Sequence, residues 1–165
     1  MSTLIGLVKI MDYRVVTAVE VLKRATNAMW MEMPPEVEGL HERRGTKRYS
    51  WPVIMCAEEN TRAFADDVSV LRKAGEDSSM DLATLKKVAR MFIEAQCGIL
   101  RNWYGLEENV QLIESTFDAL DVIETTEEYL AFTHALGVYV GRLHWWVDTL
   151  IPWDEMSALY AQRDR

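Results

Sequence analysis

One run of residues constrains this chain more than any other. From Leu4 to Met29, apolar or small side chains fall at Leu4, Val8, Met11, Val15, Ala18, Leu22, Ala25 and Met29. The steps alternate four and three without a break. That spacing keeps one stripe of a long helix against neighbouring helices. Ile5, Leu7, Ile10, Val16, Val19 and Val21 widen the stripe, so burial on more than one side is expected. The predicted helix covers residues 4–31, and Pro34-Pro35 stops it.

The same period returns three times. A second helix starts near Ser50 and Pro52 and carries Ile54, Ala57, Thr61, Phe64, Val68 and Leu71, ending at Gly75. Ser78 with Asp81 has the spacing of a capping box. A third helix then runs through Leu82, Leu85, Ala89, Phe92, Gln96, Ile99 and Trp103 to Gly105. A shorter one over 107–123 carries Val110, Ile113, Phe117 and Leu120. Thr125 with Glu128 forms a second capping-box pattern. The last long helix carries Tyr129, Phe132, Leu136, Tyr139, Leu143, Trp146 and Leu150. No strand alternation or hairpin signal persists anywhere. The expected fold is an all-α antiparallel helical bundle of four long helices plus one or two short ones. Residues 1–165 read as one domain, with 33–51 as a long basic loop.

The last long helix has a second face. Ala131, His134, Val138, Gly141 and Trp145 repeat at helical spacing opposite the main stripe. Gly137 and Gly141 would let another backbone come close. Adjacent indoles on a helix point about 100° apart, so Trp145 and Trp146 cannot both join one core stripe. Trp153 follows within the same short stretch. The longest uncharged run, 129–141, is too short for a bilayer span of about 20 residues.

Charge is segregated. The net charge is −8, yet residues 1–104 hold 15 Lys/Arg against 14 Asp/Glu, while residues 105–165 hold 3 against 12. An acidic last third repels phosphate backbones, so nucleic acid is not the expected partner. Arg43, Arg44, Lys47 and Arg48, next to Tyr49 and Trp51, form the one basic cluster. Lys86, Lys87 and Arg90 could support it. Cys56 and Cys97 lie in apolar helical stretches with no secretory leader before them, which reads as two free thiols in a cytoplasmic protein.

Chemical motifs are missing. Cys56 and Cys97 are far apart, and His41, His134 and His144 share no metal-ligand spacing. There is no Glu-x-x-His pair, nucleophile elbow or phosphate-binding glycine loop. His144 and Asp148 stand four apart on one helix face, a spacing also typical of plain ion pairs. No metal, cofactor or catalytic residue is therefore assigned. The reading leans away from an enzyme and toward a protein-interaction subunit or adaptor, including an acidic inhibitor or immunity-type protein covering a basic partner. Partner binding or self-association is placed on Trp145, Trp146, Trp153, His134, Gly141 and the 43–51 cluster. The rival reading is a bundle with a small-molecule pocket, with enzymes among its outcomes.

Overall fold

The computed structural model describes residues 11–43 and 80–150, together with Lys73, Glu76, Asp154, Ser157, Ala158 and Ala161. It is an all-α helical bundle, as the sequence period requires, and no strand occurs among the described residues. The helices are α1 (Tyr13–Met31), α2 (Pro35–Arg43), α3 (Leu82–Ile99), α4 (Glu107–Glu114), α5 (Phe117–Val122) and α6 (Thr126–Leu150), with a π-helical turn at Leu100–Tyr104 after α3. The expected helix over 50–75, the segment before Met11 and Cys56 lie outside the described residues.

Helices α1 and α6 make the most extensive contact among the described elements. They run parallel, which follows from which ends meet. The backbone N–H of Asp12, the N-cap of α1, donates to Glu128 Oε2 at 2.8 Å in the first turn of α6. At the other end, Trp146 Nε1 donates to the Met29 carbonyl at 2.6 Å. Between these points the main stripes interlock. Val15, Ala18, Leu22 and Met29 of α1 are buried, as are Tyr129, Phe132, Leu136, Tyr139, Leu143 and Val147 of α6. Val19 joins them, but Val16 and Val21 stay exposed. Among its described residues α1 is therefore buried on a narrower arc than its composition suggests.

Glu128 is the polar anchor of this pair. It is 3% exposed. Besides Asp12, it accepts from Glu124 N and from the Thr125 hydroxyl, each at 3.1 Å, while its own N–H donates to Thr125 Oγ1 at 3.1 Å. The capping box read at Thr125 and Glu128 is thus present, and it reaches across to a second helix. Burial pushes the carboxyl up, but the N–H groups of Asp12 and Glu124 and the Thr125 hydroxyl hold it down, and the balance lies below the ordinary value.

Other boundaries differ from the sequence reading for local reasons. The segment 33–51 is not a structureless loop, because Pro35 opens α2; proline suits a first helical position, where its missing N–H has no partner to lose. α3 starts at Leu82, with Asp81 as N-cap accepting from Thr84 N at 2.8 Å, so the cap falls three residues after Ser78. Its buried face is Leu85, Ala89, Ile93 and Cys97, then Leu100 and Tyr104, and Phe92 is 41% exposed. Steps of four walk around a helix, and the wider π-helical turn brings Leu100 and Tyr104 back to the core. Gly105 ends the run in the left-handed conformation at φ 70°. The expected helix over 107–123 breaks at Ser115–Thr116. Both hydroxyls donate to carbonyls three residues back, Ser115 to Leu112 and Thr116 to Ile113, each at 2.6 Å. Those bonds compete with the helical ladder.

Glu128→Ala leaves the Asp12 and Glu124 N–H groups without their buried acceptor. It should cost about 2–3 kcal/mol of unfolding free energy in a denaturant titration. Because the folded carboxyl titrates below its ordinary value of 4.5, its contribution is complete above that pH and is lost as pH falls further through the folded value. A wild-type and variant difference that stays constant down to strong acid would show that Glu128 does not carry this anchor.

Candidate functional site

The C-terminal end of α1 is where the other elements converge. After Met31 the chain turns through Glu32, Met33 and Pro34 into α2. Beside this turn lies an open cleft of about 320 Å³. Ala25, Ala28 and Met29 of α1 form one wall, Met33, Pro34 and Pro35 a second, Leu112 of α4 a third, and Tyr139 of α6 comes in from the core. Small and flexible apolar side chains dominate these walls.

The polar groups of the cleft are few and placed. Asn109 Nδ2 donates to the Tyr139 hydroxyl at 2.8 Å. Burial pushes the Tyr139 phenol up to about 12, against the opposing pull of Asn109, so the hydroxyl keeps its proton across the physiological range and can donate it. Glu36 Oε2 accepts from the N–H groups of Glu108 and Asn109 at 2.8 and 3.3 Å. It therefore caps α4, whose sequence supplies no side-chain cap of its own. Glu32 and Glu108 add carboxylates at the rim. The cleft thus combines apolar walls with a buried phenol and three glutamates.

On the other side of the Met29 carbonyl sits a second constellation. Arg142 Nε donates to Met29 O at 3.1 Å, and its Nη2 donates to Trp30 O. These are orphan carbonyls at the end of α1, and a cation there also meets the negative end of the helix dipole. Three indoles surround the guanidinium, with ring centroids at 4.5 Å for Trp30, 4.1 Å for Trp145 and 5.2 Å for Trp146. Trp145 and Trp146 meet edge to face at 4.7 Å. As the spacing requires, the two differ in role: Trp146 packs on the core and donates to Met29 O, while Trp145 is 46% exposed.

The residues singled out from sequence are only partly brought together. Trp145 and Trp146 share the Arg142 constellation, and Gly141 precedes it, but His134 is exposed about two turns earlier on α6. Arg43 ends α2; its side chain, and Arg44, Lys47, Arg48, Trp51 and Trp153, lie outside the described residues. So does the Asp148 side chain, which leaves the His144–Asp148 pairing without a description. Neither His134 nor His144 lines the cleft. Cys97 is a buried free thiol pushed up to about 12 by burial, and Glu94 pairs with Arg90 at 3.0 Å. Lys86 Nζ donates to the carbonyls of Asp121 and Ile123 at 2.8 and 2.7 Å, and Arg90 pairs with Asp121 at 2.7 Å. Both cations thus fasten α3 to the end of α5, while the 43–48 cluster they were read as supporting lies outside the described side chains. Tyr139, Asn109, Glu36 and Arg142 were missed as site residues. Tyr139 read as core, and Arg142 only as a charge interrupting an apolar helix.

The chain belongs to the family of the cucumopine synthase C-terminal helical bundle domain, which it matches over residues 15–150. Its fold is similar to that of McbB, solved in complex with tryptophan, with a TM-score of 0.79 and 21% sequence identity. The match covers 91% of this chain and 50% of that one, so this chain spans about half the length of the solved protein. At that identity the likeness is one of fold. No curated protein sequence matches the chain. These findings correct the expectation of a non-enzymatic interaction subunit, adaptor or immunity-type inhibitor, because the family takes its name from the helical bundle of a synthase. The acidic residues that motivated that reading also have local work. Glu107 and Glu114 both pair with Arg101, at 2.6 and 2.5 Å, Asp121 pairs with Arg90, and Glu128 is buried. The rival reading, a bundle with a small-molecule pocket, is the better supported. Among the described residues no helix is long and apolar enough to cross a membrane.

Trp146→Phe keeps a ring at the end of α1 but removes the N–H that reaches Met29 O. It should lower unfolding free energy by about 1–2 kcal/mol in a urea titration. An unchanged midpoint would show that the indole N–H does not help to hold α1 against α6.

Proposed function

We propose that this bundle is the small-molecule-binding part of an enzyme and that its cleft takes an aromatic amino acid of the tryptophan type. The observation that carries this reading is the cleft itself: apolar walls at Ala25, Ala28, Met29 and Leu112, the Tyr139–Asn109 pair at depth, and Glu32, Glu36 and Glu108 around it. The ring would lie between the apolar walls. Its ammonium would face the carboxylates, and the Tyr139 hydroxyl would orient a polar atom of the ligand. The tryptophan complex of the structurally similar McbB supports the ligand class, and the synthase family supports the enzymatic setting. The described residues hold no group of His, Cys, Asp and Glu arranged to bind a metal ion. The residues at hand bind and orient. A cytoplasmic setting belongs to the same proposal and rests on the free thiol of Cys97.

Isothermal titration of the chain with L-tryptophan tests the reading. Saturable binding is expected. Tyr139→Phe and Asn109→Ala should each weaken it by about 3- to 10-fold, the worth of one hydrogen bond. Indole-3-propionate, which lacks the ammonium, should bind this cleft less well. Absence of saturable heat, or equal affinity in both variants, would contradict the assignment of the cleft.

A further inference from the structure

Arg142 is held more firmly than a helix cap requires. A guanidinium has five N–H donors in one plane. One at Nε and one at Nη2 go to the Met29 and Trp30 carbonyls. The rings of Trp30, Trp145 and Trp146 lie within 4.1 to 5.2 Å of its central carbon. Capping accounts for the edge that faces α1. It does not account for the other edge, where both Nη1 hydrogens and the second Nη2 hydrogen have no acceptor among the described residues. No carboxylate there pairs with Arg142 either, although Arg14, Arg90 and Arg101 each have one.

The surroundings define what fits that edge. Trp30 is 58% exposed and Trp145 46%, so two indoles reach the surface beside those N–H groups. A Cβ placed on Gly141, the residue preceding Arg142, would meet nothing within 4 Å. The guanidinium is already fixed in orientation, which removes much of the side-chain entropy that binding normally costs. Two parallel N–H groups in a fixed plane match the two oxygens of a carboxylate.

We infer that the Nη1–Nη2 edge of Arg142, flanked by Trp30 and Trp145, is a binding site for a small organic carboxylate with a flat apolar body. The acid meets the guanidinium edge-on, and the body lies against an exposed indole. The site stands apart from the cleft: Arg142 is three residues after Tyr139 on α6 and does not line it. The inference therefore goes beyond the proposed function and does not rest on it.

Benzoate is the probe, because it is planar, carries the carboxylate and has no ammonium for the cleft. Benzamide has the same shape without the charge. Titration is followed on the indole N–H signals in ¹H–¹⁵N spectra of the whole chain. Saturable shifts of the Trp30 and Trp145 signals at millimolar benzoate are expected, with benzamide at least about tenfold weaker. Arg142→Lys keeps the charge but loses the fork and should weaken benzoate by several-fold. Trp145→Ala, at a half-exposed position, should weaken it while leaving the helical circular dichroism unchanged. The wild-type comparison of benzoate with benzamide holds even if an Arg142 variant folds poorly. Equal binding of the two compounds, shifts that do not saturate, or full affinity in Arg142→Lys would each overturn the site.

Discussion

The bundle depends on a parallel pair of helices, an arrangement that carries an electrostatic penalty. Parallel neighbours place like ends of their dipoles side by side. In this chain each end is answered by a charge from α6. Glu128 is shared by the starts of α1 and α6, taking the Asp12 N–H at 2.8 Å and closing its own capping box. Arg142 lies at the finish of α1 and takes the carbonyls of Met29 and Trp30. The anion is at the positive ends and the cation at the negative one. Between them the apolar stripes of the two helices supply most of the burial. The polar groups at the ends set the register.

That register is what builds the cleft end of the molecule. With α1 fixed against α6, Met29 has the cleft on one side and the guanidinium on the other. Tyr139 can reach the cleft because it lies one turn before Arg142 on the same helix. Glu36 completes the arrangement by capping α4 and so holding Asn109 where its amide meets the Tyr139 hydroxyl at 2.8 Å. Four elements distant in sequence thus converge on a few residues. Ligand sites between bundle helices are commonly formed this way.

Much of the fold was legible because it is periodic. The stripes of α1 and α6, the capping box at Thr125 and the stop at Gly105 follow from spacing and residue type. What was not legible depends on competition between local and distant groups. The break at Ser115–Thr116 comes from two hydroxyls choosing nearby carbonyls. The shift of the buried face of α3 from Phe92 to Ile93 becomes visible only when the π-helical turn is known. The site was harder still. Tyr139 falls on the core stripe, and nothing in its spacing separates a packed tyrosine from one that lines a cleft. The two adjacent tryptophans did signal a boundary, and Trp145 does lie there. They were read as a contact for a protein partner because the arginine gathering them had no visible role. Its partners are carbonyls more than a hundred residues away, and sequence spacing carries no trace of such bonds.

The central claim is that the meeting of α1, α4 and α6 makes a ligand site at Tyr139 and Asn109. The most direct measurement is the ¹H–¹⁵N spectrum of the chain during titration with L-tryptophan, read at the Asn109 side-chain amide. The account predicts a saturable shift of that amide together with the backbone signals of Ala25, Ala28 and Leu112, all of which border the cleft. An Asn109 amide that stays fixed while tryptophan binds elsewhere, or a spectrum that does not change at all, would contradict it.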